Sequence, residues 1–158
     1  MSEPTAVKRI RQAIVADVDV ILHHRRSMFA DMGDGSEAER EAMVSAARPF
    51  IEVAIRDGSY RGWLMEVGGR VVAGGGVAVV GYQPTPLDPV PRRAFVVNMY
   101  TEPEYRRRGV ARQVLETIVA WCREQGFAAV LLHASDAGRP LYQELGFRPT
   151  NEMRLMLR

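Results

Sequence analysis

Residues 97–124 constrain this chain more than any other stretch. Val97-Asn98-Met99-Tyr100-Thr101 reads as a strand, Glu102-Pro103-Glu104-Tyr105 as a turn, and Arg106-Arg107-Arg108-Gly109-Val110-Ala111 as the opening of a helix. Ala111, Leu115, Ile118 and Cys122 continue that helix as an apolar stripe at spacings of three and four. A helix N-terminus carries unpaired N–H groups and the positive end of the macrodipole, so arginines there oppose the dipole. A bound anion resolves the conflict. Gly109 lets a bulky anion approach the backbone closely, and arginine forks suit phosphate oxygens. The stretch reads as a pyrophosphate cradle; the plain alternative is a solvated arginine run at a helix start. Neither common phosphate motif accounts for it, because no Gly-Lys-Ser/Thr is present and Gly109 lacks the partners of a G-x-G-x-x-G set.

With 158 residues, 47% of them hydrophobic and 25% charged, the chain reads as one globular domain over residues 1–158. The formal charge is only +2. Lys8 is the sole lysine, and the arginines cluster at Arg25-Arg26, Arg92-Arg93 and Arg106–Arg108 rather than along one basic face. That pattern argues against nucleic acid as a partner. Cys122 is the only cysteine, so no intrachain disulfide forms, and its place on an apolar helix face predicts a buried, inert thiol. No secretory h-region or long apolar span occurs, so a cytoplasmic location without a membrane partner is expected.

In chain order, Met1 to Thr5 reads as a frayed end and Val7 to Ile14 as a strand. Asp17 is placed to cap a helix that carries Val18, Ile21, Leu22, Met28 and Phe29 and stops near Gly33. Ser36 and Glu39 form a capping-box signature for a second helix, which Pro49 should kink or split before it ends at Asp57-Gly58. Tyr60–Val67 and Arg70–Val80 read as a hairpin turned at Gly68-Gly69. Gly74-Gly75-Gly76 inside the second strand marks a bulge or a close backbone approach. Residues 82–91 hold four prolines and form a rigid loop, a plain connection or the border of a substrate entrance. A strand at Ala94–Thr101, a helix at Arg108–Gln125, a buried strand at Ala128–Ala134 and a short helix at Asp136–Leu145 follow. Phe147 and then Met153 to Leu157 supply the final strand or strand pair. The order predicts an α/β domain on a mostly antiparallel sheet, with a parallel pair at its centre joined by a right-handed crossover.

Arg106-x-x-Gly109-x-Ala111 after an extended strand resembles the (Gln/Arg)-x-x-Gly-x-(Gly/Ala) motif of the GNAT superfamily of acyl-CoA-dependent N-acyltransferases. Leu141-Tyr142-Gln143-Glu144-Leu145-Gly146-Phe147 is similar to that family's (Leu/Phe)-Tyr-x-x-x-Gly-Phe signature. The resemblance covers residues 60–158 well and the first sixty in layout only. It implies a GNAT-like twisted sheet with helices on both faces and the parallel pair splayed around the pantetheine arm of acetyl-CoA. It also implies backbone contacts to that arm at Met99 and Thr101, with Tyr100 between them. The pyrophosphate would lie on N–H groups among Arg106, Arg107, Arg108, Gly109, Val110, Ala111 and Arg112, with Ser135, Arg139 and Tyr142 completing the cofactor set.

By the same resemblance Tyr142 is the general acid that protonates the departing thiolate; otherwise it is a tyrosine packed with Leu141 and Leu145. The family's asparagine seven residues earlier is here Ser135, and the base glutamate of its histone-acetylating branch is here Phe95. The ammonium of an acceptor must still lose a proton, for which Glu66, Asn98 with a bound water, and Tyr100 are candidates. His23, His24 and His133 are too scattered for a metal triad, so no metal is expected, and His133 reads as a partly buried strand residue rather than a base. No Gly-x-Ser-x-Gly elbow occurs, which favours direct transfer in a ternary complex over an acyl-enzyme. The resemblance implies that the first two helices border the acceptor site, which would make Met28 to Met32 with Asp34, Glu37, Glu39 and Glu41 an acidic, methionine-lined mouth suited to a cationic amine; the plain reading is a solvated helix face. The expected activity is acetyl transfer to a primary amine of a small molecule or peptide. The alternative is a catalytically silent acyl-CoA-binding module, and a homodimer through the C-terminal strands is open to either.

Overall fold

The computed structural model describes residues 6–158; Met1 to Thr5 lie outside the described residues. Five strands stand in spatial order β1 (Lys8–Gln12), β2 (Tyr60–Val67), β3 (Arg70–Gly81), β4 (Arg92–Thr101) and β5 (Val130–Leu131). The first four pair antiparallel, and β4 and β5 pair parallel at Ala94–Val130 and Phe95–Leu131. Helices α1 (Val18–Met32) and α2 (Glu37–Asp57) cover one face, while α3 (Val110–Glu124) covers the other and leads on to α4 (Arg139–Glu144). The period of two along β2 shows why. Leu64 packs with Ile21, Leu22 and Ile51 on one side, while Trp63 and Met65 pack with Val114, Leu115 and Ile118 on the other.

Local signals explain most boundaries. Ser36 Oγ accepts from Glu39 N at 3.2 Å and the Glu39 carboxylate accepts from Ser36 N at 2.6 Å, a complete capping box. Gly68 and Gly69 have φ of 58° and 81°, the left-handed pair that a two-residue hairpin turn needs. Cys122 is fully buried in α3, and burial pushes its thiol up to about 11. Asp17 stands at the N-cap of α1, but its carboxylate is turned to Arg11 at 2.8 Å and to Ile14 N, so it caps nothing there.

Further expectations need correction, among them the buried strand at Ala128–Ala134, of which only Val130–Leu131 forms a ladder and that only part-buried. Helix α2 runs unbroken past Pro49, whose ring is on the exposed face, where water can satisfy the carbonyl that Pro49 leaves unpaired. The last strand does not form. Met153, Leu155, Met156 and Leu157 are 95%, 82%, 72% and 88% exposed, because β5 offers a ladder of only two residues and Pro149 lacks a donor on the way back. The parallel pair therefore stands at the sheet's edge among the described residues, not at its centre. The proline-rich loop 82–91 is pinned by the buried Arg93–Asp88 pair at 3.1 Å, beside the N-terminal end of β4 and away from the strand's far end.

Gly74, Gly75 and Gly76 make room for side chains rather than for backbone. A Cβ on Gly74 would lie 2.9 Å from His24 Nδ1, one on Gly75 would lie 2.2 Å from Met99 Sδ, and one on Gly76 would lie 2.4 Å from the Tyr60 hydroxyl. Opposite them β4 bulges: Gly74 pairs with Tyr100 and Gly76 with Val97, leaving Asn98 and Met99 against Gly75 alone. The Tyr60 ring is buried on all sides and cannot swing clear, so Gly76→Ala is expected to destabilise the fold by about 1–3 kcal/mol, read as a fall of several degrees in melting temperature.

Candidate active site

Strand β4 has a partner on its β5 side only at Ala94 and Phe95, so residues 96–101 present an open edge. Its backbone direction follows from the ladder. Glu102 N donates to Val72 O at 2.8 Å next to the Thr101–Ala73 pair, which makes that pair the non-hydrogen-bonded kind. The N–H and C=O of Thr101 therefore face away from β3, into a cleft of about 1210 Å³. Arg106 Nε already donates to that carbonyl at 2.9 Å.

One end of the cleft is the start of α3. Gly109 is the N-cap residue at φ 72°, Arg107 stands at φ 62°, and no side chain caps the helix. Left-handed steps of this kind turn successive N–H groups to one side and form an anion-binding concavity. Arg106 and Arg112 flank it, each paired to a carboxylate across the cleft: Arg106 to Asp31 at 2.6 Å, and Arg112 to Glu144.

The facing wall is α4 and the loop before it. Tyr142 lies over Gly138, where a Cβ would approach its ring to 2.8 Å, and edge-on to Phe147 at 5.9 Å. Burial pushes its phenol up, so it stays protonated at neutral pH. Ser135 also lines the cleft, and its Oγ accepts from Gly138 N at 3.1 Å. The third wall is the C-terminal part of α1 and the turn after it, with Met28, Asp31, Met32 and Asp34.

The cleft thus brings together Met99, Tyr100, Thr101, Arg106, Arg107, Gly109, Val110, Ala111, Arg112, Ser135 and Tyr142. Arg108 is not in its lining; it lies over the Tyr105 ring, 5.5 Å from the centroid. Arg139 is exposed at the start of α4 and does not line it either. Glu66 sits at the β1–β2 pair, bound to Arg11 at 2.6 Å and away from the cleft. His133 lies beyond β5, exposed rather than part-buried in a strand, with Nε2 2.5 Å from Glu152. Asn98 points beneath the sheet, where Arg25 Nη1 donates to its Oδ1 at 2.9 Å and its Nδ2 donates to the Tyr60 hydroxyl at 3.3 Å.

His24, rejected from the sequence as a metal ligand, Arg25, one of a basic cluster there, and Tyr60, the start of β2, all lie on the α1 side of the sheet. His24 is 1% exposed, its Nε2 has no partner among the described residues, and its ring lies 5.4 Å from that of Tyr100. Burial, with a contribution from His23, lowers its pKa to about 4. The unfolded chain protonates this histidine near pH 6.5 and the native state does not, so its stabilisation is complete above that pH and is lost as pH falls to about 4. The loss is roughly 3 kcal/mol. Melts at pH 7 and pH 4.5 should differ more for the native chain than for His24→Phe.

Comparison with known proteins assigns this architecture. The model of the acetyltransferase (GNAT) family matches residues 22–147. The chain belongs to the GNAT family. A GCN5-related N-acetyltransferase from Ralstonia eutropha superposes with a TM-score of 0.91 at 33% identity, covering 96% of this chain and 99% of that one. A predicted acetyltransferase of Clostridium acetobutylicum, solved with acetyl-CoA, shares the fold at 24% identity and a TM-score of 0.86, over 95% of this chain and 96% of that one. Human N-acetyltransferase 8 is 31% identical over 81 residues, 48% of this chain and 35% of the human protein, so the match spans about a third of that relative's length. Among the described residues no group of three or more His, Cys, Asp or Glu side chains is placed to hold a metal ion. No helix among them is long and apolar enough to cross a membrane.

Proposed function

We propose that this chain transfers the acetyl group of acetyl-CoA to a primary amine of a small molecule or peptide, by direct attack in a ternary complex. The observation that carries the reading is the open β4 edge. It starts at a bulge, ends at the uncapped start of α3, and faces a tyrosine across one cleft. An extended amide-bearing arm can add to such an edge as a further strand, through Thr101 and Met99. Gly109 and the first-turn N–H groups of α3 suit a diphosphate at one end. At the other end the bulge sets Asn98 and Met99 against Gly75 alone, and the N–H of Met99, which lines the cleft, can polarise a thioester carbonyl. Tyr142, kept protonated, is the donor to the sulfur as the thioester bond breaks.

For the acceptor, Met28 and Met32 offer apolar contact while Asp31 and Asp34 offer charge. Asp31 is held by Arg106, which leaves the Asp34 carboxylate as the acidic group to meet an ammonium. A cationic amine with some apolar body is the substrate class this wall fits. The test is titration with acetyl-CoA followed by thiol release across amines, polyamines, aminoglycosides and peptide N-termini. Binding with turnover on one class supports the reading. Binding without turnover on any of them assigns a silent acyl-CoA module, and no binding overturns both.

A further inference from the structure

Asn98 is the least expected residue of β4. It is not glycine, yet it holds φ 58° inside a strand, and it is 5% exposed although polar. The bulge also puts two successive side chains, Val97 and Asn98, on the α1 side of the sheet, where Asn98 meets polar groups from two other elements. A guanidinium only donates, so Arg25 of α1 fixes Oδ1 on its side of the carboxamide, and Nδ2 must then face the Tyr60 oxygen of β2. Both ends of the amide are held. The arrangement needs space in β3, and Gly76 supplies it, since any Cβ there would strike the Tyr60 hydroxyl. Arg25 is half-buried and Tyr60 is 5% exposed, so both give up solvent to make this contact. A strand of regular register would require none of it.

We infer that Arg25 and Tyr60 are positioning residues: they clamp the Asn98 carboxamide from both sides and so fix the direction of the Met99 N–H that meets the thioester carbonyl. The inference rests on the acetyl-transfer reading for its catalytic consequence. It assigns Asn98 a role in holding the strand rather than in holding a water. Neither Arg25 nor Tyr60 touches substrate in this scheme.

Arg25→Met keeps the apolar stem and removes the fork; Arg25→Lys returns one donor. For Arg25→Met the expected result is a fall in kcat of about 10- to 100-fold with acetyl-CoA affinity held within about twofold, because displacing the Met99 N–H disturbs the reacting geometry without touching the phosphate cradle. Hydrogen exchange at the Tyr100 amide, which faces β3 at the Gly74 pair next to the bulge, should quicken by about tenfold or more, and Arg25→Lys should recover part of both effects. Unchanged kcat and unchanged exchange would overturn the clamp. So would a loss of acetyl-CoA affinity in step with kcat, which would mean collapse of the cleft. If Arg25→Met does not fold, Asn98→Gly keeps the left-handed backbone accessible and removes the clamped amide; native kcat in that variant overturns the inference. Should the native chain transfer no acetyl group, the functional reading fails by itself, and exchange at Tyr100 alone decides the clamp.

Discussion

Gly109→Glu should abolish binding of acetyl-CoA while leaving the fold intact. At φ 72° a side chain is disfavoured by about 1 kcal/mol, a minor loss for a domain of this size. A Cβ there meets no heavy atom within 4 Å, so the new carboxylate projects into the concavity rather than into the protein. A diphosphate would face it at about 4 Å, a repulsion on the order of 4 kcal/mol at the effective dielectric of a surface site, or two to three orders of magnitude in affinity. Gly109→Ala adds the conformational penalty without the charge and should weaken binding only severalfold. Titration calorimetry of the pair separates the two contributions. Undiminished affinity in Gly109→Glu would place the cofactor elsewhere.

Tyr142→Phe should lower kcat by about 100-fold with unchanged affinity for acetyl-CoA. The substitution keeps the ring that packs on Gly138 and Phe147 and removes one oxygen, so melting temperature should barely move. Burial raises the phenol's pKa, so the acid form persists to higher pH than for a free tyrosine, and the alkaline limb of the native profile should lie correspondingly high. A variant with native kcat would remove Tyr142 from the chemistry and leave it as a packing residue beside Leu141.

Much of this site was legible in the sequence because its parts are backbone features with local signatures. The uncapped arginine-rich start of α3, Gly109 in a left-handed position and the Gly68-Gly69 turn each follow from neighbouring residue types. What escaped depends on contacts distant in the chain. Asn98 meets Arg25 and Tyr60 from 73 and 38 residues away, and no periodicity carries that information. The glycine run at 74–76 was the one trace of it, since three missing side chains on a buried strand mean that something else fills the space. Glu66 shows the converse: a carboxylate on a strand looks from sequence like a free base, but β1 supplies Arg11 to neutralise it. The last strand failed for a physical reason as well. The apolar content of Met153–Leu157 suggests a strand, but a ladder needs a template, and β5 provides only two residues.

The bond from Arg106 Nε to the Thr101 carbonyl has a consequence for how the protein behaves in a crowded solution. An unpaired strand edge invites pairing with any extended chain, including another molecule of the same protein, and natural sheets blunt such edges with charge. Here the blunting group is a guanidinium tethered five residues downstream, occupying a carbonyl at the edge while Asp31 holds its other arm. The feature that makes β4 receptive to an added strand thus carries its own guard against aggregation.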